Sequence, residues 1–388
     1  ANHPKVLRDA VTNVQATDLN LSHASFYTKT LETLDQPRIG LSFINLPGLA
    51  SWLSDSNLPA SEAKEAKTSP TPGGTTPYQT MAIALRLDRQ GLLADTALVG
   101  AGNQDKAVVA SLSQPVGAMQ FLPGNSLVAA AGTNLDRLWQ GISQDLNNYA
   151  TGSKLVNQPL KDLQTRWQTD LPQDIFRWVK GEYALGLVPA SEGVRSQESG
   201  AKKASAKPGV NSGSEWVFVA QRSPSESANQ AIGHLDEIAK QQGLSVGPLT
   251  LGNQTISAWT RRTTGTGKQN SAPLALQAEV RGVHASVGNY EIFTPSIAMM
   301  DRVLKSTEDP LTKRDRFQQA IAPMQQPNNG YLYLDWSAVQ PLLEQRFPLL
   351  RVIELAGKPL VSHLRSLTIS SYGSQSGIQR SGVFIKLS

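Results

Sequence analysis

The chain has 388 residues, of which 39% are apolar and 17% are charged, and its net charge is +5 at pH 7. It contains no cysteine, which excludes disulfides, thiolate catalysis and cysteine-bound metals and is typical of an oxidising compartment. The sequence has no apolar run of about 20 residues that could span a bilayer, and its positive charge is too dispersed to indicate a nucleic-acid site.

The first predicted strand begins at Gly40, in "GLSFINLPGLASWL", and leads through Asn45 into an apolar spacing typical of a helix. Further strands are predicted where apolar and β-branched residues form short runs between turn residues. These runs are 81–87, 95–102, 126–132, 182–188, 215–221, 255–261, 274–280, 284–293, 331–334, 364–372 and 381–387.

Helices are predicted where a capping residue precedes apolar residues at helical spacing. The caps are Asn134, Ser223 followed by Pro224, and Thr294 followed by a proline; a further helical pair is expected within 160–180. Because several strands are joined by short polar turns, such as 89–91, we expect them to be antiparallel. The predicted fold class is therefore α+β, with antiparallel sheets, helices packed on one face, and duplicated strand–helix–hairpin units.

The duplication is indicated by a second stretch, "GYLYLDWSAVQPLL", which starts at Gly330 and repeats the pattern found at Gly40. Each stretch has a strand, a short polar cap and an apolar helical spacing, and a Gln-Pro dipeptide lies at the same distance before each glycine. In both places two strands joined by a tight turn follow. Agreement at several matched positions predicts an internal repeat.

The repeat predicts two domains. Residues 1–114 are the C-terminal half of a first unit with a flexible insertion at 59–77, and residues 115–388 are a complete second unit with a flexible insertion at 190–214. Both insertions are rich in small, polar and proline residues and poor in large apolar ones. The first unit has no counterpart of the segment from "FLPGNSLVAAAGTNLDRLW" through "NYEIFTPSIAM". We therefore expect a longer protein, in which a region before Ala1 supplies a missing strand.

Three stretches carry a resemblance to a known family: "FLPGNSLVAAAGTNLDRLW", "DIFRWVKGEYALGLVP" and "NNGYLYLDW". On these, most of the chain resembles a family of cyanobacterial and other bacterial proteins catalogued as domain of unknown function 3352. The resemblance implies an N-terminal membrane anchor, absent from this chain, and an extracytoplasmic location in the periplasm or the thylakoid lumen. It supplies no catalytic residues and no activity.

No catalytic residue, cofactor or metal is predicted, because nucleophile-elbow and zinc-type spacings are missing. A metal at His234 with Asp236 and Glu237, and a triad of a serine with His284 and Asp301, are weaker alternatives. The polar and aromatic residues most open to a functional interpretation, as groove or partner contacts, are Glu182, His284, Asp335 and Trp336. The simpler interpretation is that Glu182 starts a strand and Asp335 caps a helix.

Duplicated units, flexible insertions and the lack of a catalytic motif favour a non-enzymatic, membrane-tethered extracytoplasmic protein that binds protein partners and no nucleic acid. The resemblance adds the assembly or maintenance of a photosynthetic membrane complex as a hypothesis. The alternative is a hydrolase or small-ligand-binding protein with a cleft between the two units. A deep pocket at Glu182, His284 or Asp335 would favour the alternative, and a smooth surface with an exposed apolar patch would favour partner binding.

Overall fold

The computed structural model describes residues 4–15, 20–34, 37–46, 78–100, 108–147, 170–190, 213–264, 276–340 and 362–387. The predicted insertion at 59–77 lies outside the described residues, and so does the insertion at 190–214 except for residues 190, 213 and 214. The helical spacing predicted after Asn45 and most of the helical pair predicted within 160–180 also fall outside them.

Six helices of seven or more residues are described, together with several single helical turns. They are α1 (Pro4–Gln15), α2 (Ser25–Glu32), α3 (Leu135–Asn147), α4 (Ser225–Gln241), α5 (Ile297–Ser306) and α6 (Asp315–Ile321). A further helix begins at residue 336 and is described as far as residue 340. Within the described parts of the chain, none of the helices has the length and apolarity that a bilayer crossing requires.

Every predicted run contains strand residues, but the run 284–293 is not a single strand, because the chain turns at Gly288 and Asn289 and the run divides between two strands of a hairpin. Two short or irregular strands were not predicted. The strands are β1 (Gly40–Asn45), β2 (Tyr78–Asp88), β3 (Gly91–Gly100), β4 (Val108–Val109), β5 (Val128–Thr133), β6 (Glu182–Pro189), β7 (Ser214–Gln221), β8 (Ser245–Leu251), β9 (Gln254–Thr264), β10 (Leu276–Val287), β11 (Tyr290–Thr294), β12 (Gly330–Asp335), β13 (Leu364–Gln375) and β14 (Ile378–Leu387). The two additional strands are β4 and β8.

All these strands form one antiparallel sheet, which confirms the predicted α+β class. The strand order is β1-β2-β3-β14-β13-β12-β5-β6-β7-β11-β10-β9-β8, and β4 pairs with β13 outside this path. β1 and β8 are therefore the two ends of the sheet as described. Within β8, Pro248 lies opposite Ser257 of β9, and a proline, which has no N–H group, is tolerated there because β8 is an edge strand of the described sheet.

The prediction that the helices pack on one face is wrong. Successive side chains of a strand point to opposite faces, and in β7 Val217 belongs to the core under α5, whereas Phe218 belongs to the core under α4. We call these the α5 face and the α4 face. The α5 face carries Met299 and Phe317 from α5 and α6, and the α4 face carries Leu235. Both faces of the central strands are apolar, so each needs a helical layer.

The same local arrangement occurs at two places in the sheet. Where α2 packs on β1, Tyr27 and Phe43 meet edge to face, with ring centroids 5.1 Å apart at 74°. Where α6 packs on β12, Phe317 and Tyr333 meet at 5.2 Å and 80°. Each aromatic pair has the same sequence spacing from the glycine, Gly40 or Gly330, that opens its strand.

The helix starts follow the predicted chemistry with two corrections. The Asn134 side chain accepts a hydrogen bond from the backbone N–H of Arg137, as predicted for a cap. α4 begins one residue later than expected, with Pro224 as a cap that makes no side-chain bond. α5 is capped by Ser296, whose Oγ accepts from the N–H of Met299 at 3.1 Å. The cap of α4 therefore lies one residue later in the chain than predicted, and the cap of α5 lies two residues later.

Candidate functional site

His284 lies at the centre of a buried ionic cluster on the α4 face. Its Nδ1 is 2.7 Å from Glu291 Oε1 of the neighbouring strand β11, and its Nε2 is 3.2 Å from Asp236 Oδ1 of α4. His284 is 6% exposed and Glu291 is 1% exposed. The ring stacks on Phe293 at a centroid distance of 5.6 Å, so apolar contacts fix its plane.

Three further side chains complete the cluster. Ser286 Oγ donates to Glu291 Oε2 at 2.6 Å, and Trp259 Nε1 donates to Asp236 Oδ1 at 2.7 Å. Arg222 Nε lies 3.8 Å from Glu291 Oε2, which adds a second positive charge. His284 and Ser286 share a face because they are two residues apart in β10, and the β10–β11 register places Ser286 directly opposite Glu291.

The two carboxylates hold His284 in its charged form. Burial alone disfavours the imidazolium, but hydrogen bonds and charge from Asp236 and Glu291 outweigh it and raise the pKa of His284 to about 9. Burial acts to raise the pKa of Asp236 as well, but the hydrogen bonds from His284 and Trp259 lower it below its usual value. At neutral pH the cluster therefore contains an imidazolium that donates from both nitrogens.

A cavity of about 380 Å³ opens beside the cluster. Eight of its eleven lining residues are polar or charged, and they come from α4, β9, β10, β11 and the residue after β7. The lining comprises Arg222, Asn229, Ile232, Gln254, Thr255, Ile256, Ser257, His284, Ala285, Ser286 and Glu291. All of these residues lie in the predicted second unit.

The arrangement does not match the weaker triad alternative. A general base must be unprotonated at the working pH, and His284 carries its proton well above neutrality. Ser286 donates to Glu291 and not to the imidazole. Asp301 lies on α5, on the other side of the sheet, where it pairs with Lys305 at 2.7 Å. The structure therefore does not bring His284 and Asp301 together.

Glu182 begins β6, as the simpler interpretation predicted, and points to the α5 face. Its Oε2 accepts from Tyr290 Oη at 2.7 Å and from the backbone N–H of Ala118 at 3.1 Å. Burial, and then the carboxylate of Glu182, raise the pKa of Tyr290. These bonds attach the helical turn 117–121 to the sheet. Glu182 and His284 occupy opposite faces and do not share a groove.

Asp335 caps the helix 336–340 and is buried at the end of β12. Its Oδ1 accepts from the N–H of Ala338 at 3.4 Å, which confirms the predicted cap. Its Oδ2 accepts from Arg316 Nη1 of α6 at 2.6 Å, and the same guanidinium donates to the carbonyl of Gly124 at 2.8 Å. Trp336, next in the chain, is partly buried on that helix. Asp335 therefore ties α6 to the sheet.

The sequence prediction identified His284 but missed Asp236, Glu291, Trp259 and Arg222 as its partners. The signal for Glu291 was present, because a tight turn after Val287 places Glu291 across the hairpin from Ser286. Asp236 comes from a helix distant in sequence and had no comparable signal. The metal alternative at His234 is not supported, since His234 lies 3.5 Å from Asp174 and the described residues contain no group of three or more side chains placed to hold a metal ion.

These observations define an antiparallel α+β protein with a buried ionic cluster on one face of its sheet. The model of the family described as "Protein of unknown function (DUF3352)" matches residues 1–387, so the chain belongs to that family. This confirms the resemblance carried by the three sequence stretches. Comparisons with curated proteins and with solved structures found no match.

Proposed function

We propose that this protein is a non-enzymatic, membrane-tethered protein that binds other proteins outside the cytoplasm. In this proposal it assembles or maintains a membrane complex, and the photosynthetic membrane is its place of work. The observation that carries the proposal is an apolar stripe on α1, formed by Leu7, Val11 and Val14, which are 60%, 48% and 81% exposed.

The stripe matters because its members lie on one side of the helix. Residues at i, i+4 and i+7 form the face that an amphipathic helix normally buries against a core. Single exposed apolar residues are ordinary, but an aligned set on one helix supports a partner surface. In α5 the corresponding kind of stripe, with Met299, Met300 and Val303, is fully buried against the sheet.

The proposal includes the internal duplication. Leu34 and Met324, each 4% exposed, stand at the same spacing before Gly40 and Gly330. Together with the two edge-to-face aromatic pairs, this supports α2-β1-β2-β3 and α6-β12-β13-β14 as copies of one unit. In the second copy α5 precedes α6 and packs on β7, β10 and β11. The described residues of the first copy include no strands equivalent to β7, β10 and β11. Strands supplied by a partner would dock on the apolar stripe of α1, the helix that precedes α2 as α5 precedes α6.

The test is capture of partners from native membranes by the tagged chain, compared with a variant carrying Leu7→Lys and Val11→Lys. Leu249→Lys, on the exposed strand β8, is the matched control. We expect specific partners to be lost from the double variant and retained by the control. An identical set of proteins captured by all three forms would contradict the proposal.

The second candidate function is small-ligand binding or hydrolysis. The cavity of about 380 Å³ beside His284 favours a small polar ligand. It lies inside the second unit, whereas the sequence hypothesis expected a cleft between the units. Thermal-shift screening with small polar compounds tests this candidate; a compound that stabilises the wild type but not Ser286→Ala would support it. Hydrolysis is less favoured, because a protonated His284 offers no general base.

A further inference from the structure

The cavity beside His284 carries more positive than negative charge. Its described lining contains two cationic side chains, Arg222 and the His284 imidazolium, and one carboxylate, Glu291. Each oxygen of Glu291 already accepts a hydrogen bond from inside the cluster, Oε1 from His284 and Oε2 from Ser286. Asp236, the other carboxylate of the cluster, is not among the described lining residues. The charge balance of the lining therefore suits a ligand with a single negative charge.

Arg222 is the cation of this lining with unused hydrogen-bonding capacity. A guanidinium has five N–H donors in a fixed plane. Within the described residues, the only side-chain hydrogen bond of Arg222 runs from Nη2 to Asn229 Oδ1 of α4. Its Nε is buried and has no hydrogen-bond partner, since Glu291 Oε2 is 3.8 Å away, which is beyond hydrogen-bonding distance. A buried N–H group is rarely left unpaired, so a further acceptor is expected beside Arg222.

The strand β9 adds two hydroxyl groups to the same cavity. Ser257 and Thr255 are two residues apart in β9 and therefore share one face of the sheet. Ser257 lies directly opposite His284 in β10, so this is the α4 face. Neither hydroxyl has a hydrogen-bond partner among the described residues. The lining thus combines one guanidinium with free donors and two free hydroxyls.

We infer that the cavity beside His284 binds a small carboxylate, with Arg222 as its main contact and with Ser257 and Thr255 holding a second polar group of the ligand. This inference rests on the second candidate function, small-ligand binding, and names the class of ligand. The oxygens of a carboxylate match the planar donors of a guanidinium, and such charge-assisted bonds are about twice as strong as neutral ones. The cavity volume of about 380 Å³ is in the range of small-ligand sites.

A phosphate group fits this lining less well. It carries close to two negative charges, which exceed the single net positive charge of the described lining. A carboxylate has two sources, a free carboxylic acid and the C-terminus of a peptide. The experiment therefore includes one probe for each source.

The experiment measures the melting temperature of the whole chain with L-lactate and with L-lactamide, which has the same shape without the charge. N-acetylated dialanine and its C-terminal amide form the corresponding peptide pair, and sodium chloride of equal ionic strength is the salt control. We expect a carboxylate to raise the melting temperature and its amide to leave it unchanged. An effect of lactate identifies a free acid as ligand, and an effect of the peptide acid alone identifies a peptide C-terminus.

Three variants then locate the site by calorimetric titration with the active carboxylate. Arg222→Gln removes the charge and the planar donors, and we expect it to weaken binding by about tenfold or more. Ser257→Ala leaves the charges of the cluster in place, and we expect it to weaken binding by about threefold. Arg281→Gln is the matched control and should bind like the wild type, because Arg281 pairs with Glu279 and is not among the described lining residues.

Four outcomes would overturn the inference. They are no effect of either carboxylate at about 20 mM, equal effects of acid and amide, tighter binding of inorganic phosphate than of either carboxylate, and unchanged binding by both Arg222→Gln and Ser257→Ala. If Arg222→Gln does not fold, Ser257→Ala and the acid–amide pairs still decide. A neutral compound that stabilises the wild type while the carboxylates do not would leave small-ligand binding standing and contradict only the ligand class. Partner capture through α1 does not involve this cavity and is tested separately.

Discussion

Replacing His284 with glutamine removes the positive charge between Asp236 and Glu291 and keeps a side chain that can hydrogen bond. The pKa of His284 rises from 6.5 to about 9 on folding. At 1.36 kcal/mol for each unit of pKa, this difference corresponds to about 3 kcal/mol of stabilisation at low pH. The loss of one partner of a buried ion pair typically costs about 3–5 kcal/mol, which is the same range. We therefore expect His284→Gln to lower the free energy of unfolding by about 3 kcal/mol.

The same pKa sets a pH dependence with a definite sign. A histidine whose pKa is raised by folding stabilises fully below its unfolded pKa, and the stabilisation is lost as the pH rises through its folded pKa. The contribution of His284 is therefore complete below pH 6.5 and disappears above about 9. The wild type should lose this stability between those limits, and His284→Gln should not.

Urea unfolding followed by tryptophan fluorescence, at about pH 6 and about pH 10, measures both effects. His23→Gln is the control, because His23 is exposed on a helical turn. The double variant His284→Gln with Glu291→Gln should recover part of the loss, since it removes the carboxylate that the single variant leaves buried. The reasoning fails if His284→Gln costs no more than the control, or if it keeps the wild-type change between the two pH values.

Two other substitutions test the packing around β12. Asp335→Ala removes a helix cap and leaves the Arg316 guanidinium without its carboxylate, so we expect a loss of about 2–3 kcal/mol in urea unfolding, and a loss below about 0.5 kcal/mol would contradict this. Gly330→Ala places a Cβ 2.0 Å from the carbonyl oxygen of Ala131 at a φ of +112°, so the melting temperature should fall sharply. Gly40→Ala is the matched control, because its nearest contact is 3.6 Å and ordinary, and equal melting temperatures for the two variants would refute the argument.

The strands were predictable because their signals are local. Runs such as 81–87 and 381–387 alternate or are continuously apolar and end at turn residues, and the structure has strands there. β8 was missed because Gly247 and Pro248 interrupt its pattern, and an edge strand tolerates both. The layer on the second face was missed because the sheet is buried on both sides, and its faces cannot be assigned without knowing which helix covers which.

The candidate site was predictable only in part for a similar reason. His284 stood out by its residue type, and Asp335 stood out by its place between a strand and a helical spacing. The partners that decide their chemistry come from elsewhere in the chain: Asp236 from α4 and Arg316 from α6. Long-range partners leave no periodic signal in a single sequence.

The proline in β8 has a consequence for how large an assembly can become. With Pro248 in its middle, β8 has no N–H at that position to offer a further strand, so the sheet is discouraged from growing at that end. A sheet that cannot be extended at one end cannot join neighbours through both of its edges, which open-ended fibrils would require.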